Sequence, residues 1–181
     1  MAVYRKKETI VAIIVESERL LLREFSSEDT AFIVRQLNEP SFINNIADRG
    51  VRNEDQAFQY LQNGPIASYQ KHGFGLWAIQ LKETKEIIGM CGLIKRDNLA
   101  HVDLGYALLP EFFSQGYAQE ATRASLEVAK QKFNLPCLLA IVNPSNVASR
   151  KLLDAIGFHF QDMQALIENE PEICVYKINL G

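Results

Sequence analysis

The stretch from Asp103 to Ala121 decides how this 181-residue chain folds. It reads DLGYALLP over residues 103–110 and continues directly as EFFSQGYAQEA over residues 111–121. We interpret the first part as the end of a strand that stops at Pro110. The second part is a short loop containing Gly116, after which apolar or small residues recur at helical spacing. They are Ala121, Thr122, Ser125, Leu126, Ala129 and Phe133. The stretch therefore predicts a strand, a glycine loop and a long helix.

The start of that helix is suited to binding an anion. The first turn of a helix carries unpaired N–H groups and a partial positive charge, so it can hold a phosphate. Gly116 and the small Ala118 allow close approach to the backbone. The loop lacks the lysine of a P-loop, and it does not match GxGxxG after a first strand, so nucleotide- and dinucleotide-binding folds are disfavoured. Taken alone, the spacing also fits an ordinary helix start.

Outward from this unit, the chain alternates between strand and helix patterns. Three strands separated by polar turns precede the loop, at residues 75–81, 86–94 and 101–109, and short connections favour an antiparallel meander. Further upstream we expect a strand at 20–24, a helix that Ser26 caps and Pro40 ends, and a helical stretch over 54–69, broken near Gly64 and Pro65. Downstream we expect a strand at 138–142, a helix at 146–156 and strands at 158–163 and 173–178. This order predicts an α/β fold with a mixed, mostly antiparallel sheet flanked by helices.

Composition sets broad limits on the class of protein. The length predicts one domain, 1–181, with a core at about 19–178 and an N-terminal leader over 1–16. Nineteen basic and 22 acidic residues give a net charge of −3, which argues against a nucleic-acid partner held by bulk charge. The apolar run at 10–15 is too short to cross a membrane. Three scattered cysteines suggest reduced thiols in a cytoplasmic protein, and the histidine spacing does not suggest a metal site.

Four blocks in register resemble the GNAT superfamily of N-acetyltransferases, in its RimJ/RimL-like branch. They are Leu20–Arg23, Ile88–Gly92, the stretch 103–121, and NPSNVASRKLLDAIGF over residues 143–158. Together they span about residues 19–160. One position departs from the superfamily pattern, because Phe113 stands where Arg or Gln is usual. An aromatic residue is familiar there in this branch, and phosphate contacts are mostly made by backbone.

The resemblance implies acetyl-CoA as co-substrate and a splayed pair of strands at its binding site. Leu108 and Leu109 would pair with the pantetheine arm, and a backbone N–H there would polarise the thioester carbonyl. The N–H groups of Gln115, Gly116, Tyr117 and Ala118 would hold the pyrophosphate. Asn146 would contact the cofactor, and Arg150 or Lys151 could reach its phosphates, although this basic pair also fits a solvated helix face.

The resemblance also implies direct transfer of an acetyl group to a primary amine. The amine must be neutral to attack, and Asp103 is our first candidate for the base, with Glu111 and His101 as weaker ones. Asp103 could instead orient a loop or pair with a cation. Ser149 is a candidate proton donor for the leaving thiolate, with helix packing as its other role.

The acceptor is the least readable part of the sequence. Polar loops at 44–51 and 64–75 suit a recognition site, and the residues of interest there are Asp48, Arg49, Tyr69 and His72. Arg49 could bind a carboxylate with two hydrogen bonds, which suggests an acceptor carrying both an amine and a carboxylate. A small amine, an amino acid and a protein N-terminus all remain open. The alternative function is an acyl-CoA-binding sensor without turnover. A homodimer is plausible by family analogy.

Overall fold

An eight-stranded sheet with helices on both faces forms the body of the protein. The computed structural model describes residues 11–181. The strands are β1 (Ile13–Glu16), β2 (Leu20–Arg23), β3 (Leu76–Leu81), β4 (Ile87–Ile94), β5 (Asp103–Leu108), β6 (Cys137–Val142), β7 (His159–Gln164) and β8 (Ile173–Asn179). The helices are α1 (Thr30–Asn38), α2 (Pro40–Asn45), α3 (Glu54–Leu61), α4 (Ala67–His72), α5 (Tyr117–Gln131) and α6 (Val147–Ala155).

The strands lie in the order β1-β2-β3-β4-β5-β6-β8-β7. Neighbours are antiparallel everywhere except between β5 and β6, which run parallel. These two strands are in register at a single pair, Asp103 and Leu139, and then diverge. The α/β fold with a mostly antiparallel sheet and one splayed strand pair is therefore confirmed.

Two hydrophobic clusters hold the helices against the sheet. The larger one packs α5 and α6 on one face and includes Leu22, Trp77 and Leu104. The smaller one packs α1 and α3 on the opposite face, around Ile33 and Leu61. Residues on α5 that the helical period placed inward are buried, among them Ala121, Ser125 and Ala129. The sheet thus separates two helical layers. The candidate site lies at the gap between β5 and β6, which side chains from both layers can reach.

The structure corrects two expectations about the N-terminal half. Residues 13–16, expected to belong to a leader, form edge strand β1 and pair with β2. Ile13 remains 57% exposed. The four residues of this strand, IIVE, are too few to show the apolar alternation by which a strand is recognised in a sequence. The basic segment 3–7 lies outside the described residues. At Gly64 and Pro65 the helix does not break but passes through a π-helical segment, Gln62–Ile66, which accommodates the missing N–H of the proline.

Candidate active site

The backbone of β5 is open on the side that faces β6. The N–H of Leu109 donates to the carbonyl of Ile88 at 2.9 Å, so that group is occupied by β4. Successive residues of a strand direct their backbone groups to opposite sides, so Leu108 directs its N–H towards the gap. The carbonyl of Leu108 accepts a 3.4 Å hydrogen bond from the side-chain amide of Gln36 on α1. Of the two leucines expected to contact the pantetheine arm, Leu108 is the one whose N–H is free to do so.

The loop before α5 presents backbone donors. Gly116 is the N-cap, with φ of +83°, a left-handed conformation that favours glycine. The first N–H of the helix to find an intrahelical carbonyl is that of Glu120, which donates to Gly116. The preceding N–H groups of Tyr117 and Ala118 lie at the helix start, where no side chain caps them. The 15-residue helix thus begins with backbone donors at the expected place, and its binding of a phosphate stays a prediction.

Arg19 places a guanidinium, paired with the Glu120 carboxylate, beside this loop. Its guanidinium donates to Glu120 at 2.7 Å and to the carbonyl of Gln115 at 3.0 Å, and it lies 4.3 Å from the ring centroid of Tyr117. A Cβ built on Gly116 would come within 3.2 Å of its Nη2. No local pattern predicts this contact, because Arg19 and Glu120 are 101 residues apart.

Tyr106 and Ser149 join β5 to α6 beside the gap. Their hydroxyl oxygens are 2.5 Å apart, and the Tyr106 oxygen is also 3.2 Å from the carbonyl oxygen of Ser149. Burial raises the pKa of Tyr106 to about 12, against an opposing effect of its hydrogen bond with Ser149. The phenol therefore stays protonated at neutral pH. Its position was readable in principle, since Tyr106 alternates with Leu104 and Leu108 along one face of the strand.

Asp103 lies at the opposite end of β5 from Leu108. It is 1% exposed and accepts a 3.0 Å hydrogen bond from Nε of Arg96. Its second oxygen, Oδ2, has no partner within residues 11–181. Burial raises the pKa of Asp103, and the Arg96 charge opposes that effect. The carboxyl group is thus paired on one oxygen and free on the other.

The remaining cofactor candidates make protein contacts of their own. The side-chain oxygen of Asn146 caps α6 by accepting from the N–H of Ser149 at 3.1 Å. Arg150 donates to the Tyr176 hydroxyl at 3.1 Å and to the Pro144 carbonyl at 3.3 Å. Because Tyr176 is on β8, the Arg150 guanidinium reaches the side of β6 that faces away from β5. These hydrogen bonds hold the guanidinium on protein groups, and its predicted contact with a phosphate stays a prediction.

The weaker candidates are dispersed. Glu111 is exposed and forms an ion pair with Arg35, and His101 is exposed in the turn before β5. The Tyr69 hydroxyl accepts from the N–H of Phe25 and donates to the carbonyl of Leu76, so it braces α4 against the sheet. His72 stacks on Phe74. Of these four, only Glu111 lies near Leu108 and Gly116, in the loop between them, where its carbonyl accepts from the Gln115 side chain at 2.8 Å.

Comparison with known proteins identifies the class of enzyme. A model of the acetyltransferase (GNAT) domain matches residues 19–159. The chain belongs to the GNAT family, and it is an N-acetyltransferase. It is 30% identical to the uncharacterized N-acetyltransferase p20 of Bacillus licheniformis over 146 residues, which cover 78% of this chain and 80% of that protein.

Solved structures share the fold along nearly the whole chain. An acetyltransferase from Agrobacterium tumefaciens superposes with a TM-score of 0.76 at 24% identity, covering 99% of both chains. The ribosomal L7/L12 alpha-N-protein acetyltransferase RimL, solved in complex with coenzyme A, superposes with a TM-score of 0.77 at 17% identity. That match covers 93% of this chain and 98% of RimL. These likenesses show that the chain shares its fold with acetyltransferases of the GNAT family, RimL among them.

Membrane-spanning helices, metal-binding clusters and cysteines were considered within the part of the chain that the structure describes. Within 11–181, no helix has both the length and the apolar character needed to span a bilayer. In the same range, no three histidine, cysteine, aspartate or glutamate side chains are grouped so as to hold a metal ion. All three cysteines are buried and free, as their apolar surroundings predicted.

Proposed function

We propose that this protein transfers the acetyl group of acetyl-CoA directly to the nitrogen of a primary amine. The observation that carries the proposal is the open edge of β5 next to the uncapped start of α5. An extended pantetheine arm needs backbone donors and acceptors at a strand edge, and a diphosphate needs N–H groups with a positive field. The residues present fit both requirements. Acetyl-CoA would supply the activated acetyl group as a thioester.

Acetyl-CoA would be bound by the backbone at the open edge of β5, by the backbone at the start of α5 and by the Arg19 side chain. The N–H groups of Gln115, Gly116, Tyr117 and Ala118 would hold the diphosphate, and the fixed guanidinium of Arg19 lies beside them. The backbone of Leu108 would pair with the arm. Asn146 and Arg150 would also contact the cofactor, once the hydrogen bonds that they make within the protein have rearranged.

Catalysis requires a neutral amine, charge stabilisation and a proton for the leaving thiolate. Asp103 would take the proton of the incoming ammonium through its free Oδ2, by way of a chain of waters, because it is buried and lies roughly 16 Å along β5 from Leu108. The N–H of Leu108 would donate to the carbonyl oxygen on which negative charge develops. As the nitrogen–carbon bond forms, the nitrogen would release its second proton to water. As the carbon–sulfur bond breaks, Ser149 would donate its proton to sulfur and be reprotonated by Tyr106, which would regain a proton from water.

A thiol-release assay tests this function directly. The protein would be mixed with acetyl-CoA and a panel of primary amines, amino acids and peptides, and CoA release would be recorded. We expect release that depends on the acceptor and saturates with acetyl-CoA. Saturable acetyl-CoA binding without acceptor-dependent release would instead identify an acyl-CoA sensor.

A further inference from the structure

A second concave feature lies against α3 and the π-helical segment that follows it. This cleft has a volume of about 380 Å³, and Arg49, Tyr60 and the side-chain amides of Gln56, Gln59 and Asn63 line it. Each of these side chains can donate a hydrogen bond, and one carries a full positive charge. None of them takes part in the acetyl-CoA site proposed above.

The loop before α3 leaves the charge of Arg49 without a counter-ion. The nearest carboxylate in sequence, Asp48, accepts from the N–H of Gly50 at 2.9 Å and from Nη2 of Arg52 at 2.6 Å. Gly50 has φ of +68°, and Arg49 lies between the two residues that the Gly50–Asp48 hydrogen bond joins. Throughout residues 11–181, no carboxylate lies within 4.0 Å of the Arg49 guanidinium.

Tyr60 brings a second donor to the same cleft. Its side chain is half-buried, and its hydroxyl makes no hydrogen bond with any described residue. Burial raises the pKa of Tyr60, while the positive charges of Arg49 and Arg96 lower it. Two guanidinium groups therefore act on this phenol, and one of them, Arg96, is paired with Asp103.

The cleft belongs to the helical layer that covers the Asp103 face of the sheet. α3 packs with α1 in the smaller hydrophobic cluster, which also includes Ala107 of β5. Asp103 and Ala107 are both odd-numbered residues of β5, so their side chains lie on the same face. On α1, Gln36 reaches the carbonyl of Leu108. A molecule in the cleft therefore approaches β5 from the face opposite α5.

We propose that this cleft binds a carboxylate of the acceptor, so that the acceptor is an amine that also carries a carboxylate. The inference rests on the acetyl transfer proposed above and names its acceptor class. Arg49 would hold both carboxylate oxygens, and Tyr60 would donate a further hydrogen bond. Such a carboxylate belongs either to a free amino acid or to an acidic residue at the start of a peptide.

Matched acceptors distinguish these sources and test the cleft. CoA release would be compared for amino acids, their amides, the corresponding decarboxylated amines, and peptide amides that begin with Asp or Glu. We expect kcat/KM to be at least tenfold higher for acceptors with a carboxylate, in either the amino-acid or the peptide arm. Equal values for acids, amides and decarboxylated amines, together with equal values for peptide amides that begin with Asp or Glu and for those that begin with Asn or Gln, would overturn the proposal.

Variants then assign the effect to Arg49. Arg49→Gln should lower kcat/KM by about 10–100-fold for carboxylate acceptors, which is the effect of losing a charged hydrogen bond, and leave decarboxylated amines unaffected. Tyr60→Phe should give a smaller loss with the same selectivity. Lys71→Gln, an exposed cation on α4 outside the cleft, should match the parent. An equal loss of both acceptor classes in Arg49→Gln would contradict the assignment.

A binding measurement keeps this test independent of turnover. The Nε–Hε resonance of Arg49 would be followed by NMR in the CoA-bound protein as amino acids, their amides or acidic peptide amides are added. Shifts caused by the carboxylate-bearing probes alone would support the cleft even if no amine were acetylated, a result that would remove only the proposed function. The absence of any such shift would overturn the cleft.

Discussion

The hydroxyl oxygens of Tyr106 and Ser149 lie 2.5 Å apart and connect β5 to α6 at the edge of the splayed strands. A serine hydroxyl is a weak acid, but a phenol in contact with it can replace its proton as it is donated. The pair therefore has the form of a short proton relay, with Ser149 at the gap and Tyr106 behind it.

Removing the Ser149 hydroxyl should slow the chemical step. We expect Ser149→Ala to lower kcat about 100-fold, which is typical for loss of a general acid, with little change in the dissociation constant of acetyl-CoA. Tyr106→Phe should lower kcat less, because Ser149 keeps its own proton. Stopped-flow thiol release and calorimetric titration would measure the two quantities. If Ser149→Ala keeps the parent kcat, the hydroxyl only links helix and strand.

Asp103 predicts an unusual pH dependence. Its pKa is raised, chiefly by burial, so the carboxylate needed as a base should be lost as pH falls through a value above the ordinary ~3.9 of aspartate. With an acceptor whose own amine stays protonated over that range, kcat/KM should fall on the acid side at this raised value. Asp103→Asn should remove this limb and lower kcat about 100-fold.

The control for Asp103 is Asp97, an exposed carboxylate in the same turn as Arg96. Asp97→Asn should keep both the rate and the pH profile of the parent. Should Asp103→Asn lower the melting temperature yet leave kcat and its acid limb intact, the Asp103–Arg96 ion pair would be structural and the base would lie elsewhere.

Gly116 should be required for cofactor affinity. A side chain there is strained by roughly 1–2 kcal/mol at φ of +83°, and its Cβ would lie 3.2 Å from Nη2 of Arg19. We expect Gly116→Ala to weaken CoA binding about tenfold, the equivalent of one lost hydrogen bond. Gly73→Ala carries similar strain at φ of +77° but lies at the end of α4, so it should destabilise the fold without changing CoA affinity. Equal affinity for both variants would argue against phosphate binding at this loop.

Local patterns explain how far the sequence could predict this structure. The meander β3–β5 was placed within two residues, because apolar strands and polar turns alternate there with clear boundaries. The start of α5 was equally readable, since its donors are backbone groups and depend only on Gly116 and the helix. The contacts of Arg19 could not be read, because they join segments far apart in sequence. Asp103 could be recognised in the sequence as a candidate base. Its burial and its ion pair with Arg96 could not be predicted, since both depend on how β4 and β5 pair.

Glu120 predicts how the fold responds to acid. Its carboxylate accepts from the N–H and the guanidinium of Arg19 and from the Ser17 hydroxyl, each at 2.7 Å. Burial raises the pKa of Glu120, but these hydrogen bonds outweigh burial and leave the pKa lowered. A carboxyl with a lowered pKa stabilises the folded state above its unfolded pKa of ~4.3, and this contribution is lost as pH falls through the lower folded value.

Glu120→Gln should therefore reduce the free energy of unfolding by about 1 kcal/mol at pH 7, since the Arg19 partner is partly solvated. The difference from the parent should shrink progressively below about pH 4. Urea unfolding at the two pH values would measure it. Glu127→Gln is the matched control, because Glu127 is exposed on the same helix and its only described partner is Gln131. A deficit in Glu120→Gln that persists unchanged into acid would mean that the side chain stabilises the β1–β2 turn by packing rather than by charge.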